Sequence, residues 1–155
     1  MTASDYAEPA AALTSGGRIP LLGFGTWQIS NPEATKATAD ALQAGYRHID
    51  TATMYNNEAG IGRALASAGL SRESVFVTTK LPPSHTGRER QTLAESLAKL
   101  GLDYVDLWLI HWPPKRICGR WLGHAAPRVW QQFIKAQQEG LAKAIGVSNY
   151  TPQDR

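Results

Sequence analysis

One cysteine, Cys118, stands in 155 residues. It has no second cysteine for an internal disulfide, and no CxxC or Cys/His spacing suggests structural zinc, so a reducing compartment and a site without metal are expected. Long apolar runs are missing too: none approaches the ~20 residues that a membrane span needs. The N-terminal stretch M-T-A-S-D-Y-A-E-P-A-A-A-L has neither the basic start nor the apolar core of a secretory signal. A cytoplasmic protein with no membrane partner is the expectation. Acid is missing from one long interval. No Asp or Glu falls between Asp106 and Glu139, whereas Lys115, Arg116, Arg120, Arg128 and Lys135 do. A nucleic-acid reader would carry such charge on a recognition element with aromatic or amide partners. Here it lies in a Pro- and Gly-containing stretch, which reads as a solvated basic loop with no nucleic-acid partner.

What remains is ordinary globular material, 43% hydrophobic and 19% charged with a net charge of +3. A chain of this size buries roughly 70% of its unfolded surface, so one domain is expected. Residues 1–12 read as a flexible N-terminus and 13–155 as the folded unit. Leu13 to Gly25 suggests a hairpin over Ser15-Gly16-Gly17, followed by a first strand near Leu21 to Trp27. Asn31-Pro32-Glu33 supplies a cap, an N1 proline and an early acid for a helix to Ala44, with Gly45 beyond its end. Strand two is His48 to Ala52, and a second helix runs from Glu58 to Ala68 and stops at Gly69. Strand three is Val75 to Lys80. Thr86 with Glu89 has the spacing of a capping box, ahead of a leucine stripe at Leu93, Leu97 and Leu100. Strand four is Tyr104 to Ile110. Pro127 opens a fourth helix with Trp130, Phe133 and Ile134 facing inward, and Ile145 to Val147 is strand five.

Strands alternating with helices imply parallel pairing and right-handed crossovers. The candidates are a doubly wound sheet and a β/α barrel. A dinucleotide fingerprint would need a third glycine after Gly23-Phe24-Gly25, where Thr26, Trp27 and Gln28 stand instead. The barrel is the better reading, because strand after strand ends in a polar or aromatic residue. In parallel β/α folds these ends meet on one face. Asp50 closes strand two, Lys80 closes strand three, His111 follows strand four, and Tyr55 lies in the loop after strand two. Singly, each has a dull explanation in a turn, on the surface or in the core. Together they make chemistry. A lysine ending an apolar strand would be desolvated unless a carboxylate pairs with it, and Asp50 on the adjacent strand is the natural partner. A phenol beside that ammonium is expected to be a stronger acid than its free pKa of ~10 allows. His111 would supply a hydrogen bond where charge develops on a carbonyl oxygen.

Five longer motifs add a resemblance: Gly25-Thr26-Trp27, H-I-D-T-A-x-x-Y-x-N-E at His48 to Glu58, V-T-T-K-L at Val77 to Leu81, D-L-W-L-I-H-W-P at Asp106 to Pro113, and G-V-S-N at Gly146 to Asn149. In this order they resemble the aldo-keto reductase superfamily, in particular the bacterial-type members that include 2,5-diketogluconate reductases. The resemblance implies an α/β fold, the N-terminal five β/α units of a (β/α)8 TIM barrel, with hydride transfer from NADPH to an aldehyde or ketone. It implies that Tyr55 is the general acid, that Lys80 and Asp50 tune it, and that His111 orients the substrate carbonyl. Ser148 and Asn149 would hold the nicotinamide carboxamide, with Thr26 and Asp50 also on the cofactor. Trp27 and Trp112 would wall the substrate pocket. The complete form would be a monomer acting on a small-molecule carbonyl. A barrel of this type takes ~250 residues, so five strands should leave two open edges and uncovered inward faces at Phe76, Val105, Leu107, Leu109 and Val147. A fragment or interaction module without turnover is the alternative reading.

Overall fold

Five parallel strands carry the architecture. The computed structural model describes residues 9–113, 116–117, 120–121 and 126–151. Its main sheet consists of β3 (Phe24–Gly25), β4 (His48–Asp50), β5 (Phe76–Leu81), β6 (Val105–Ile110) and β9 (Ala142–Val147), side by side in chain order and all parallel. Neighbouring strands are joined by α1 (Asn31–Gln43), α2 (Glu58–Ser67), α3 (Glu89–Leu100) and α4 (Ala126–Gln138) in turn. This is an open arc of β/α-barrel type. Its two edges, β3 and β9, have a strand neighbour on one side among the described residues.

An antiparallel hairpin precedes the arc: β1 (Ala10–Ala12) pairs with β2 (Arg18–Pro20), and its turn is closed by Leu13 N donating to Gly17 O at 2.8 Å. The turn stands over Ser15-Gly16-Gly17 as expected, but β1 draws Ala10–Ala12 out of the segment read as flexible. A second short ladder pairs β7 (Arg116–Ile117) with β8 (Arg120–Trp121). Part of the stretch read as an irregular basic loop is therefore strand, and residues 114–115, 118–119 and 122–125 lie outside the described residues.

Helix boundaries show where local signals compete. The cap of α1 is Ser30 rather than Asn31: its backbone N and hydroxyl both donate to Glu33 Oε2, at 3.3 and 2.5 Å. Asn31 is employed elsewhere, accepting Gly60 N on its side-chain oxygen at 2.7 Å and so tying α1 to α2. Thr86 does not cap α3. Its hydroxyl donates to Pro83 O at 2.8 Å, Glu89 accepts from Gly87 N at 2.6 Å, and the helix begins only at Glu89. Gly101 closes α3 in the left-handed region (φ +66), where a Cβ would be strained.

The core lies between sheet and helices. Ile49, Val77, Leu81, Val105, Trp108 and Ile110 from the strands meet Leu42, Ile61, Leu93, Leu97, Leu100, Val129 and Phe133. Trp108 and Phe133 stack with centroids 3.7 Å apart, the largest pair in this layer. On α4, Val129, Phe133 and Ala136 are buried, whereas Trp130 and Ile134, expected inward, are half-buried. The feared loss of inward cover is also smaller than the strand count suggests. Val105 is fully buried and Leu107 nearly so, while Phe76 and Leu109 are half-buried. Val147 is exposed, but its register with Ile110 puts it on the helix side of the sheet rather than inside. Val105 and Leu107 are thus covered although the described strands form an open sheet.

Candidate active site

Parallel register brings the C-terminal strand ends to one edge, with Gly25 beside Asp50, Lys80 beside Leu109, and Ile110 beside Val147. Period-two alternation then sorts the side chains. Thr79 and Leu81 turn toward the helices, and Lys80 turns into the concave face. There its Nζ forms an ion pair with Asp50 Oδ1 and donates to Thr51 O at 2.9 Å. The expected pairing is present, with the lysine 8% and the aspartate 36% exposed in their side chains.

Tyr55 reaches this pair through a tight reversal. A 3-10 turn over Thr53–Tyr55 begins just after β4, and Asn56 leaves it in a left-handed conformation (φ 56), which asparagine tolerates better than most residues. The five-residue separation from Asp50 is thus folded back on itself. The Tyr55 ring centre lies 5.3 Å from Lys80 Nζ and 5.6 Å from the His111 ring, edge to face with it. Tyr55, Lys80, Asp50 and His111 form one cluster.

Its electrostatics differ from the expectation in one sign. The Tyr55 pKa is raised above the usual phenol value, first by burial and second by the Asp50 carboxylate. The strengthening of the phenol anticipated from Lys80 is outweighed by burial and the Asp50 carboxylate; the ammonium itself is engaged by Asp50 and by the Thr51 carbonyl. His111 is shifted the other way, held below its ordinary value by burial and then by Lys80, with Asp50 opposing. It is therefore neutral at pH 7. Its Nδ1 is buried with no hydrogen-bond partner, and an orphaned acceptor is less costly than an orphaned N–H. The proton thus belongs on Nε2.

The remaining candidates divide. Ser148 and Asn149 follow β9 on the same edge: Ser148 N extends the ladder to Ile110 O at 2.8 Å, and Asn149 Nδ2 donates to His111 O at 2.8 Å and to Ser148 Oγ at 3.0 Å. Trp27 and Trp112 are 67% and 49% exposed, so neither indole is buried in the core of the described residues. Thr26 is fully buried, and its N and Oγ1 both donate to Asp50 O, at 3.0 and 3.1 Å. It ties the end of β3 to the end of β4. Among the described residues no group of three or more His, Cys, Asp or Glu could hold a metal ion, and no helix is long and apolar enough to cross a membrane.

Sequence reasoning gave no role to the polar layer beneath the site. Asn57 is fully buried: its Nδ2 donates to Thr26 O at 2.8 Å and Ile29 O at 2.9 Å, and its Oδ1 accepts from Thr51 Oγ1 at 3.0 Å. Glu58, 1% exposed, accepts from Thr79 Oγ1 at 2.7 Å. A signal existed. Asn57 and Glu58 stand four and three positions before Ile61, which is wholly buried, so helical spacing puts both on the inner face.

Known proteins resemble this chain in sequence and in fold. The pattern of the Aldo/keto reductase family matches residues 21–154, and the chain belongs to that family. It is 47% identical over 138 residues to the methylglyoxal reductase DkgA of Escherichia coli (strain K12), a match covering 89% of this chain and 48% of the relative. An aldo-keto reductase of Mycobacterium avium (strain 104) is 43% identical over 150 residues, covering 96% of this chain and 50% of the relative. Among solved structures, an aldo/keto reductase from Brucella melitensis superposes with a TM-score of 0.87 at 47% identity, over 94% of this chain and 56% of the other. A Bombyx mori aldo-keto reductase in complex with NADP gives 0.86 at 39% identity, over 94% and 52%. The chain spans about half the length of the curated relatives it matches.

Proposed function

We propose that this site reduces a small aldehyde or ketone to the alcohol, with NADPH as reductant. The observation that carries the reading is the convergence of Tyr55, the Lys80–Asp50 pair and neutral His111 at the C-terminal strand ends. Reduction of a carbonyl needs a hydride at carbon and a proton at oxygen. When bound, NADPH supplies the hydride. This chain supplies the rest: His111 Nε2–H donates a hydrogen bond to the carbonyl oxygen, and Tyr55 delivers the proton as charge builds there. Lys80 stands close enough to stabilise the phenolate left behind. The donor set fits the cofactor, since the Ser148 hydroxyl and Asn149 amide stand side by side beside His111 and offer the donor and acceptor atoms that a nicotinamide carboxamide pairs with. The choice of NADPH is supported by the NADP complex of the Bombyx mori relative. Methylglyoxal, named for the enterobacterial relatives, is the first substrate to try. A monomer working in the cytoplasm without metal completes the proposal.

The test is NADPH oxidation by the full chain with methylglyoxal. Tyr55→Phe keeps the ring and removes the proton, so turnover should fall by at least ~100-fold, the general-acid contribution, with NADPH affinity little changed. Normal turnover in the variant would remove Tyr55 from the mechanism. A second reading, binding without turnover, is favoured by the two open edges of the sheet, β3 and β9. NADPH binding without oxidation under any carbonyl substrate would select it.

A further inference from the structure

The carboxyl of Glu58 is buried at the first residue of α2, with Thr79 as its one side-chain hydrogen-bond partner on Oε1 and no partner on Oε2. No cation among the described residues pairs with it. The free peptide N–H groups at the start of α2 favour an acid there, but an exposed cap would serve that purpose without desolvation. Burying a carboxyl with half of its acceptors unused is costly, and a Leu–Val contact would hold helix to strand more cheaply. The position of the bond suggests what the cost secures. Glu58 is three residues after Tyr55, and Thr79 immediately precedes Lys80. The link therefore runs from the turn that presents the phenol to the strand that presents the ammonium. Asn57 anchors the same turn to the segments that follow β3 and β4, through Thr26, Ile29 and Thr51. Among the side-chain hydrogen bonds of residues 53–58, the Thr79 contact is the one that reaches β5.

We infer that the buried Glu58–Thr79 hydrogen bond sets the separation of Tyr55 from the Lys80–Asp50 pair, which makes Glu58 and Thr79 positioning residues for carbonyl reduction. The inference rests on the function proposed above. Neither residue touches substrate or cofactor; both act through the placement of Tyr55, whose charged and titratable neighbours are Asp50, Lys80 and His111.

The experiment compares the full chain with Thr79→Val, which keeps shape and removes the donor, and with Thr79→Ser, which keeps the donor. Each is made with and without Tyr55→Phe, so that ultraviolet difference titration isolates the ionisation of Tyr55. Thr79→Val should lower kcat about 10- to 100-fold, the cost of a misplacement near 1 Å. NADPH affinity should not change, and the Tyr55 titration should move. Thr79→Ser should restore both kcat and titration, a rescue that mere loss of stability would not give. A folded Thr79→Val protein with unaltered kcat and titration overturns the inference, as does a Thr79→Ser protein that behaves like Thr79→Val. If Thr79→Val does not fold, Glu58→Met removes the same bond from the other side, with Glu58→Gln, which keeps the acceptor, as its conservative partner; equal behaviour of these two also overturns it. If the wild-type chain turns over no carbonyl, the proposed function fails on its own, and the Tyr55 titration still decides the positioning role.

Discussion

Asn57 and Asn56 are chemically identical neighbours with opposite expected sensitivities. Asn57→Ala deletes three hydrogen bonds at once, to Thr26 O, Ile29 O and Thr51 Oγ1. The bonds to Thr26 O and Thr51 Oγ1 are buried, so water cannot replace the lost partner, and each group left unsatisfied costs ~1 to 3 kcal/mol. The bond to Ile29 O is only partly buried, and water recovers much of it. The total is about 3 to 5 kcal/mol, a large share of the ~5 to 15 kcal/mol that holds a domain together. With a urea slope of about 2 kcal/mol per molar, the unfolding midpoint should drop by about 2 M. Asn56 is exposed, sits at positive φ, and makes one long bond at 3.3 Å to Met54 O. Asn56→Gly relieves the backbone and should move the midpoint by less than about 0.5 M. Urea unfolding followed by tryptophan fluorescence and near-ultraviolet circular dichroism measures both. An Asn57→Ala midpoint within about 0.5 M of wild type, at unchanged slope, would refute the clamp argument.

Asp50→Asn removes the charge that, after burial, holds the Tyr55 pKa up; the Tyr55 titration should move down, and an unchanged or raised titration would contradict the assignment. Gly62→Ala would place a Cβ 2.5 Å from Lys99 O and 2.7 Å from Leu100 O. Backbone at that seam cannot give way as a side chain would, so thermal unfolding should show a loss of about 1 to 3 kcal/mol. His111 carries a depressed pKa, so the unfolded chain takes up its proton at higher pH than the folded one. Stability from this group is therefore present above ~6.5 and lost as pH falls from there through the folded pKa. Urea midpoints on either side of that pH should differ less in His111→Gln than in wild type, and equal pH sensitivity in the two proteins would refute the shift.

Regular elements were legible wherever a local pattern had no competitor. The leucines of α3, the apolar run of β5 and the glycines that stop the first three helices each answer to a single rule, and all stand where the spacing puts them. Signals failed where two residues could fill one role. Ser30 and Asn31 are both good caps, and the choice of Ser30 was made by Gly60, 29 positions along the chain, which needed the Asn31 oxygen. Thr86 and Glu89 have capping-box spacing, but Gly87 lies between them at φ +92 and turns the chain away from a helical start. Burial of the inner face was misjudged for a related reason. Counting strands treats a sheet as flat, whereas strands twist, and Val105, Leu107 and Ala144 are buried without a closing strand among the described residues.

Which residues gather at the site was readable from sequence; the electrostatic sign at Tyr55 was not. Strand ends can be located one residue at a time, and parallel pairing then forces Asp50, Lys80 and His111 together. The pKa of a phenol among them depends on its burial and on its distances to the charges of Asp50 and Lys80, which no spacing encodes. Proximity of Tyr55 to Lys80 suggests a strengthened acid, but burial and the Asp50 carboxylate outweigh it, and the phenol's pKa is raised. In the proposed reduction, the raised pKa keeps the donor loaded. A phenol with a raised pKa stays protonated across the physiological range and gives up its proton only to an oxygen that has become strongly basic. A carbonyl oxygen reaches that state only as hydride arrives at its carbon. In the proposed reduction, proton transfer would then be tied to the transition state rather than precede it, with Lys80 close enough to the ring to favour the phenolate as it forms.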